Sequence, residues 1–365
     1  YLHDNWDYPN KMVQTDNAAQ YNLKIPWQAG DFLTGSFKGG VKYSESNRDN
    51  KAVGYGQTSY YLVAFVPKSQ VYYNKKLFIN ANGFITSENF IVSPTASSTI
   101  VNNKYSMFPV FDRNILTDWN IQQRDSNYSF DRNTLADSYT LQEALTAGYL
   151  MGEIKFGGFL TLIGGARYEH ESNWYQSVWT SAYEQYGRQG LLRDTTTTRV
   201  TSHWFPHLHL KIQVLEGLDL RASANSAISR PDFYWISPWV RYNQQDGKIA
   251  SGNPSLKETK INNYNVTASV YDNVIGLFSV SGVYKDLRNI FYQKVTSAFK
   301  PEDYVAVGLP STKTEPLIWT TYENADRAQV RGLEVEWQTQ LAYYPGMPEI
   351  LKGIVFNANY SRVWS

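Results

Sequence analysis

The sequence predicts an all-β fold: a transmembrane antiparallel β-barrel wall of about ten strands, with long extracellular loops. Three observations predict it. Apolar and polar side chains alternate with a period of two over stretches longer than soluble strands usually reach. The alternation recurs along the chain. The connections between alternating stretches are short and long in strict turn, as in barrels with short periplasmic turns and long external loops.

The stretch "FLTLIGGARYEHESNWYQSVW" shows the pattern most fully. One set is Leu160, Leu162, Gly164, Ala166 and Tyr168; the other is Thr161, Ile163, Gly165, Arg167, Glu169 and Glu171. From Leu160 to Trp174 this spans about 50 Å of chain, or about 35 Å of height at a tilt near 45°. A bilayer's hydrocarbon core is about 30 Å thick. Leu33, Phe37, Val41 and Tyr43 alternate with Thr34, Ser36, Lys38 and Lys42. Leu208, Leu210, Ile212 and Val214 alternate with His207, His209, Lys211 and Gln213. Leu220, Ala222, Ala224 and Ile228 oppose Arg221, Ser223 and Asn225. Tyr264, Val266, Ala268 and Val270 follow, then Phe278, Val280 and Tyr284 against Ser279, Ser281 and Lys285. Leu333, Val335 and Trp337, then Phe356, Ala358 and Tyr360, close the series. The segment 140–156 is less regular, and a bulge is expected there.

Five short turns are expected: "QAGD" at 28–31, "FGG" at 156–158, "EGLD" at 216–219, "DNVIG" at 272–276 and "YPGMPE" at 344–349. Long loops are expected at 45–138, 176–202, 232–258 and 296–326, the first with a small core around "YYLVAFV" at 60–66. That apolar run is too short for a membrane-spanning helix. The net charge of +1 gives no support to a nucleic-acid partner. Without cysteine there are no disulfides and no thiolate metal sites. The chain opens on Tyr1 and reads as a processed chain or a piece of a longer one.

The lumen-lining set is Arg167, Glu169, His207, His209, Arg221, Asn225 and Lys285. His207 and His209 share a face and could share a metal, but the sequence identifies no carboxylate partner, so the expectation is no metal site. Glu169 and Glu171 also share a face, at a spacing open to paired-carboxylate glycoside hydrolysis, but a wet wall explains them more simply. No nucleophile elbow, phosphate loop or zinc-protease motif is present, so no catalytic residue and no cofactor is expected. The loops are different. "ESNWYQSVWTSAYEQYGR" carries Trp174, Tyr175, Trp179, Tyr183 and Tyr186, and "RPDFYWISPWVRYNQQ" carries Phe233, Tyr234, Trp235, Trp239 and Tyr242. Trp174, Tyr175, Trp179, Tyr234, Trp235, Trp239 and Tyr242 are the candidate ligand contacts, since aromatic planes stack on sugars or flat chelators. The alternative is that they hold the loops together or line the membrane interface.

"GGARYEHE", "WFPHLHLKIQVLEGLDLRASANSAISRPDF", "SGNPSLKETKINNYNVTASVY", "GLFSVSGVYKDLRNIF" and "VRGLEVEWQTQL", in this order, resemble the barrel of TonB-dependent outer-membrane receptors. The resemblance covers Tyr21 to Ser365, and the composition resembles a Bacteroidota-type member. It implies a location in the bacterial outer membrane, with lipid around the wall, and a 22-stranded barrel plugged by an N-terminal domain. It further implies uptake of a scarce nutrient (a glycan, siderophore or other metal chelate) driven by the TonB energy-coupling protein through the plug, with a surface lipoprotein as a candidate partner. The sequence departs from that pattern. It carries about ten strands, no plug and no motif for engaging the coupling protein, and it ends at Ser365 without a terminal aromatic residue. Residues 1–365 therefore read as part of one barrel domain. A passive porin or adhesin-like barrel, a barrel subunit of a surface or secretion complex, and a soluble carbohydrate-binding β protein remain the alternatives.

Parity makes the reading testable. Cysteines introduced at Leu162, Ala222 and Val280 should react with lipid-soluble probes, and those at Arg167, Arg221 and Ser279 only with water-soluble ones. Labelling that ignores parity would remove the barrel, because a one-residue slip exchanges the two faces.

Overall fold

The computed structural model describes residues 4–58, 72–73, 76–77, 99–100, 105–106, 111–118, 129–182, 192–243, 246–272, 276–297, 300–309 and 317–365. The expected apolar cluster at 60–66, and Tyr183 and Tyr186, lie outside the described residues. Ten long strands dominate: β1 (Asn10–Ala29), β2 (Leu33–Ala52), β3 (Tyr139–Phe156), β4 (Leu160–Ala182), β5 (Leu192–Leu215), β6 (Leu218–Ser229), β7 (Thr259–Asp272), β8 (Gly276–Thr296), β9 (Ile318–Gln340) and β10 (Val355–Trp364). Each pairs antiparallel with the next in chain order. Among the described residues, no helix is long and apolar enough to cross a membrane.

Directly opposed residues share a face, so the register tests every alternating set at once. One row runs Ile25, Phe37, Gly152, Gly164, Leu208, Ala224, Tyr264, Tyr284, Arg331 and Trp364. The apolar sets therefore form one continuous outer face. The next row runs Lys24, Lys38, Met151, Gly165, His207, Asn225, Asn263 and Lys285, and faces the lumen. The outer row starts near the short turn on β1 and has climbed well up the strands by β9, which is the stagger of tilted barrel strands. Leu150 (68%), Trp204 (67%) and Val266 (61%) are exposed on the outer face, an arrangement that suits lipid rather than water.

Aromatic belts bound this face. Near the short turns, Phe32 meets Phe159 at 5.9 Å, Trp27 meets Phe37 at 6.1 Å and Trp337 meets Phe356 at 5.2 Å between ring centroids. Toward the long loops, Tyr168 meets Trp204 at 5.0 Å and Tyr264 meets Tyr284 at 6.0 Å. Amphipathic rings settle at both membrane–water boundaries. Each short connection carries a glycine in the left-handed region: Gly30, Gly157, Gly217, Gly276 and Gly346. A tight reversal needs that conformation, and a side chain would strain it.

Three details differ from expectation. The strands outrun the alternation: β2 continues to Ala52, β4 to Ala182, β5 starts at Leu192 and β9 at Ile318. Beyond the membrane both faces are wet, so the apolar signal fades while the hydrogen-bonded ladder continues. The last turn is wider than 344–349, with short 3-10 turns at Leu341–Tyr343 and Glu349–Leu351. Pro345 and Pro348 have no N–H to give a ladder. The pairing of β3 is continuous on both sides, and the irregularity falls instead between Gln213 and Leu215 on β5.

Ala224 faces out between Leu208 and Tyr264, and Asn225 faces in. Ala224→Arg should cost about 2–4 kcal/mol of folding stability at mid-membrane depth, and Asn225→Arg little. Equal refolding yields in lipid vesicles would count against this assignment of faces.

Candidate functional site

The connection from β6 to β7, residues 230–258, lies across the lumen at the long-loop end. Pro231 ends the strand, and the Asp232 carboxylate accepts the Tyr234 backbone N–H at 2.8 Å to start the helical turn Phe233–Ile236. A hairpin follows, Val240–Asn243 against Lys248–Ser251, turned at Gly247. Its first strand pairs parallel with Trp179–Ala182 at the top of β4, and its second with Ile318–Thr320 at the top of β9. Strands far apart in the wall are thus bridged by backbone hydrogen bonds, and the loop forms a roof.

Ion pairs fasten both feet of this roof. At the first foot, Arg230 Nε donates to Glu171 Oε2 at 2.6 Å and Nη2 to Glu169 Oε2 at 2.9 Å. Glu169 also accepts from Arg167 Nε at 2.7 Å. At the second foot, Glu258 accepts from Arg199 at 2.7 Å, and its other oxygen lies 3.5 Å from His203 Nε2. Farther in, Asp137 Oδ1 accepts from Arg241 at 2.7 Å and from the Tyr234 hydroxyl at 3.2 Å. The Arg48 guanidinium lies over the Phe233 ring at 4.3 Å. Burial opposes the Arg230 charge, but Glu171 and Glu169 more than offset it and hold its pKa above the ordinary value.

Glu143 sits on the lumen side of β3, opposite Asn173 and above Gly148, which pairs with Tyr168 of the upper belt. It is therefore outside the membrane span. Burial, then the Glu171 carboxylate, push its pKa up to about 7, against the pull of Arg48 and Arg230. Burial likewise raises the Tyr234 phenol, helped by Asp137.

The structure brings six of the seven candidate ligand contacts into the roof. Trp179 and Tyr242 pack with Ile249, Tyr304, Val307 and Leu317. Tyr175 packs with Leu141, Ile236 and Leu256. Trp235 stacks on Tyr322 at 5.0 Å, and Tyr234 on Trp239 at 4.5 Å. Tyr175, Trp179, Trp239 and Tyr242 are buried, so much of their ring surface goes to loop packing. Trp174 is not brought with them: opposite Gln142 and Thr198, it has the parity of the outer face. In the wall, Arg167 and Glu169 belong to the ionic foot, while His207, His209, Arg221, Asn225 and Lys285 lie lower on the lumen face. The His207 and His209 rings are 5.7 Å apart, and among the described residues no group of three His, Asp or Glu could hold a metal ion.

Arg230, Glu258, Arg199, His203 and Asp137 escaped the sequence reading. Opposite charges at the two ends of one long connection, "SRP" and "KET", were the available signal. Beside the roof, a cavity of about 570 Å³ is lined by Trp179, Trp239, Trp319, Arg193, Asn253 and Glu323, among others.

A sequence-ordered antiparallel meander, apolar outside and polar inside, with aromatic belts and a loop across one mouth, is the wall of an outer-membrane β-barrel. The profile of the family described as TonB dependent receptor-like, beta-barrel, matches residues 1–364, and the chain belongs to that family, whose barrels span the outer membrane of Gram-negative bacteria. Among solved structures, the Serratia marcescens hemophore receptor HasR, in complex with its hemophore HasA and heme, is similar over 99% of this chain and 51% of its own, with 11% identity and a TM-score of 0.51. The ferric-catecholate import receptor Fiu from E. coli K12 matches over 93% of this chain and 36% of its own, with 13% identity and a TM-score of 0.48. The chain therefore spans about half the length of the first of these receptors and about a third of the second. No curated protein matches it in sequence.

Two outcomes follow from the roof. Arg230→Gln leaves Glu169 and Glu171 without their shared cation. It should weaken the roof by about 1–3 kcal/mol, less than a fully buried pair would lose because Arg230 keeps 40% side-chain exposure. Faster hydrogen exchange across 230–258, with the strands unchanged, is the expected readout.

Glu143 sets a pH dependence. Its folded pKa is raised, so its contribution is full below the ordinary 4.5 and is lost as pH rises through about 7. Once the base-catalysed rise in intrinsic amide exchange is divided out, protection at 230–258 should therefore fall between pH 5 and about 8 in the native receptor and fall less in Glu143→Gln.

Proposed function

We propose that the chain is part of a receptor that takes up a scarce nutrient across the outer membrane, with energy from the inner membrane. The observation that carries this reading is the roof, which covers part of the mouth of a wall that belongs to the TonB-dependent receptor family. A loop bonded to two separate parts of the wall closes off part of the mouth and shapes a cavity beside itself. In this reading residues 1–365 are part of one barrel domain, and the rest of the receptor supplies the remaining strands and a plug. The TonB coupling protein acts through that plug, and a surface lipoprotein is a candidate partner. The role is transport, not catalysis.

The ligand is a small molecule or glycan (a siderophore or other metal chelate in the first case). It is captured in the cavity beside the roof, whose size is within the range of about 300–1,000 Å³ usual for small-ligand sites. Trp239 and Trp319 offer apolar ring edges there, and Arg193, Asn253 and Glu323 offer directional polar groups. Of the other candidate contacts, Tyr234, Trp235 and Tyr242 hold the roof's shape, while Tyr175 anchors its underside.

Filling the cavity tests this without removing any packing group. Ser255 is exposed at the cavity rim. Ser255→Trp should weaken ligand binding and uptake by at least about tenfold, or about 1.4 kcal/mol. Surface level and heat stability of the barrel should stay unchanged. Normal uptake by that variant would move the capture site elsewhere.

A further inference from the structure

The outer face is not uniform around the wall. On β1–β5, two rows above the upper aromatic belt carry a single charged residue, Glu45. One runs Asn17, Glu45, Ala144, Ser172 and Val200, and another Thr15, Asn47, Gln142, Trp174 and Thr198. On β7–β9 the corresponding region is basic. Lys260 lies directly opposite Arg288, and Arg288 directly opposite Arg327. Two residues along each strand toward the membrane is the row Asn262, Asp286 and Gln329, and below it the belt pair Tyr264 and Tyr284. Arg331 continues the belt row and lies 5.9 Å from the Tyr284 ring centroid. Arg362, opposite Leu333 on β10, lies 5.0 Å from the Trp364 ring.

All five cations have outer-face parity, the same as Val266, Val280 and Leu333. Like charges directly opposite one another repel, and three stand in one row. Among the described residues, the carboxylate that meets them is Asp286, 2.6 Å from Arg327 and 3.5 Å from Arg288. Asp286 is nearly buried, whereas the side chains of Arg288 and Arg327 keep 60% and 50% exposure. One carboxylate orients the two guanidinium groups but leaves most of their donors directed outward. An outward-facing basic patch just above the aromatic belt stands at the depth of lipid headgroups, not of solutes in the lumen. Guanidinium groups match phosphate oxygens in geometry as well as charge.

We propose that Lys260, Arg288, Arg327, Arg331 and Arg362 form a docking face for the phosphate groups of an outer-leaflet lipid. The lipid's chains lie along the apolar band of β7–β10, and its phosphates answer the charge that the strands cannot neutralise themselves. The lipid holds one sector of the wall in a fixed orientation, on the opposite face of the sheet from ligand capture. The inference does not depend on the transport reading.

The test uses the full-length receptor in phosphatidylcholine vesicles in which about a fifth of the lipid carries a terminal phosphate monoester. After extraction into neutral detergent, the retained phosphate lipid is counted by mass spectrometry. Native receptor should retain it. Lys260→Gln/Arg288→Gln/Arg327→Gln should bind it about a hundredfold more weakly, since each of the three cations near a charged surface contributes roughly fivefold. Lys11→Gln/Lys51→Gln, which removes another opposed cation pair on the outer face, should retain it fully. Equal retention by native and triple variant overturns the proposal, as does equal loss in the control. Displacement by an equal concentration of inorganic phosphate also overturns it, by showing an anion site rather than a lipid face. If the triple variant fails to insert, the native receptor decides: retention that does not fall with rising salt sinks the proposal.

Discussion

A backbone inside lipid has no water to satisfy its N–H and C=O groups, so every one must find a partner in the chain. That constraint explains the meander. Each strand from β2 to β9 takes its hydrogen bonds from the strand just before and the strand just after it. Once this ladder is fixed, parity is fixed for all strands together, because opposed residues share a face. The apolar band, the aromatic belts and the polar lumen are three consequences of one register.

Above the membrane the constraint relaxes, and different forces take over. The long strands continue as two-sided polar ribbons, and the roof is assembled against them. Its hairpin extends the ladder in parallel, while its feet are fastened by charge. Glu169 and Glu171 look like a candidate catalytic pair in sequence because they share a face two residues apart. In the fold that spacing lets two carboxylates grip one guanidinium, and Arg230 takes both. Glu143 faces the same cluster without a salt bridge among the described residues, and burial, ahead of the Glu171 carboxylate, raises its pKa.

The aromatic loop residues serve two demands that pull against each other. A roof that must hold a shape buries its rings, and a capture site must leave some ring surface open. Trp179 and Trp239 show the compromise. Each is buried and donates its indole N–H within the roof region, to Val307 and Tyr234 carbonyls, yet each has an edge on the cavity. Trp174 is one register step away from Tyr175 and faces the other side of the sheet.

Fold class, strand count, the turns and the two faces were legible in the sequence because a membrane wall is a local code. Each side chain's partner, lipid or lumen water, is set by its own parity, and each turn announces itself with a glycine. The strand ends were misplaced because the code needs lipid on one side, and the upper ladder at Asp49 and Thr140 has none. The roof's loop and its aromatic residues were legible, but its contacts were not. Its pairings join Trp179 to Val240 and Ile249 to Trp319, and its ion pairs join Arg230 to Glu171 and Arg199 to Glu258. Such contacts depend on how far the wall curves and how high each strand reaches, quantities that no periodicity records. The basic patch on the outer face has the same origin. Lys260, Arg288 and Arg327 are scattered along the chain and become one row only when three strands are laid side by side.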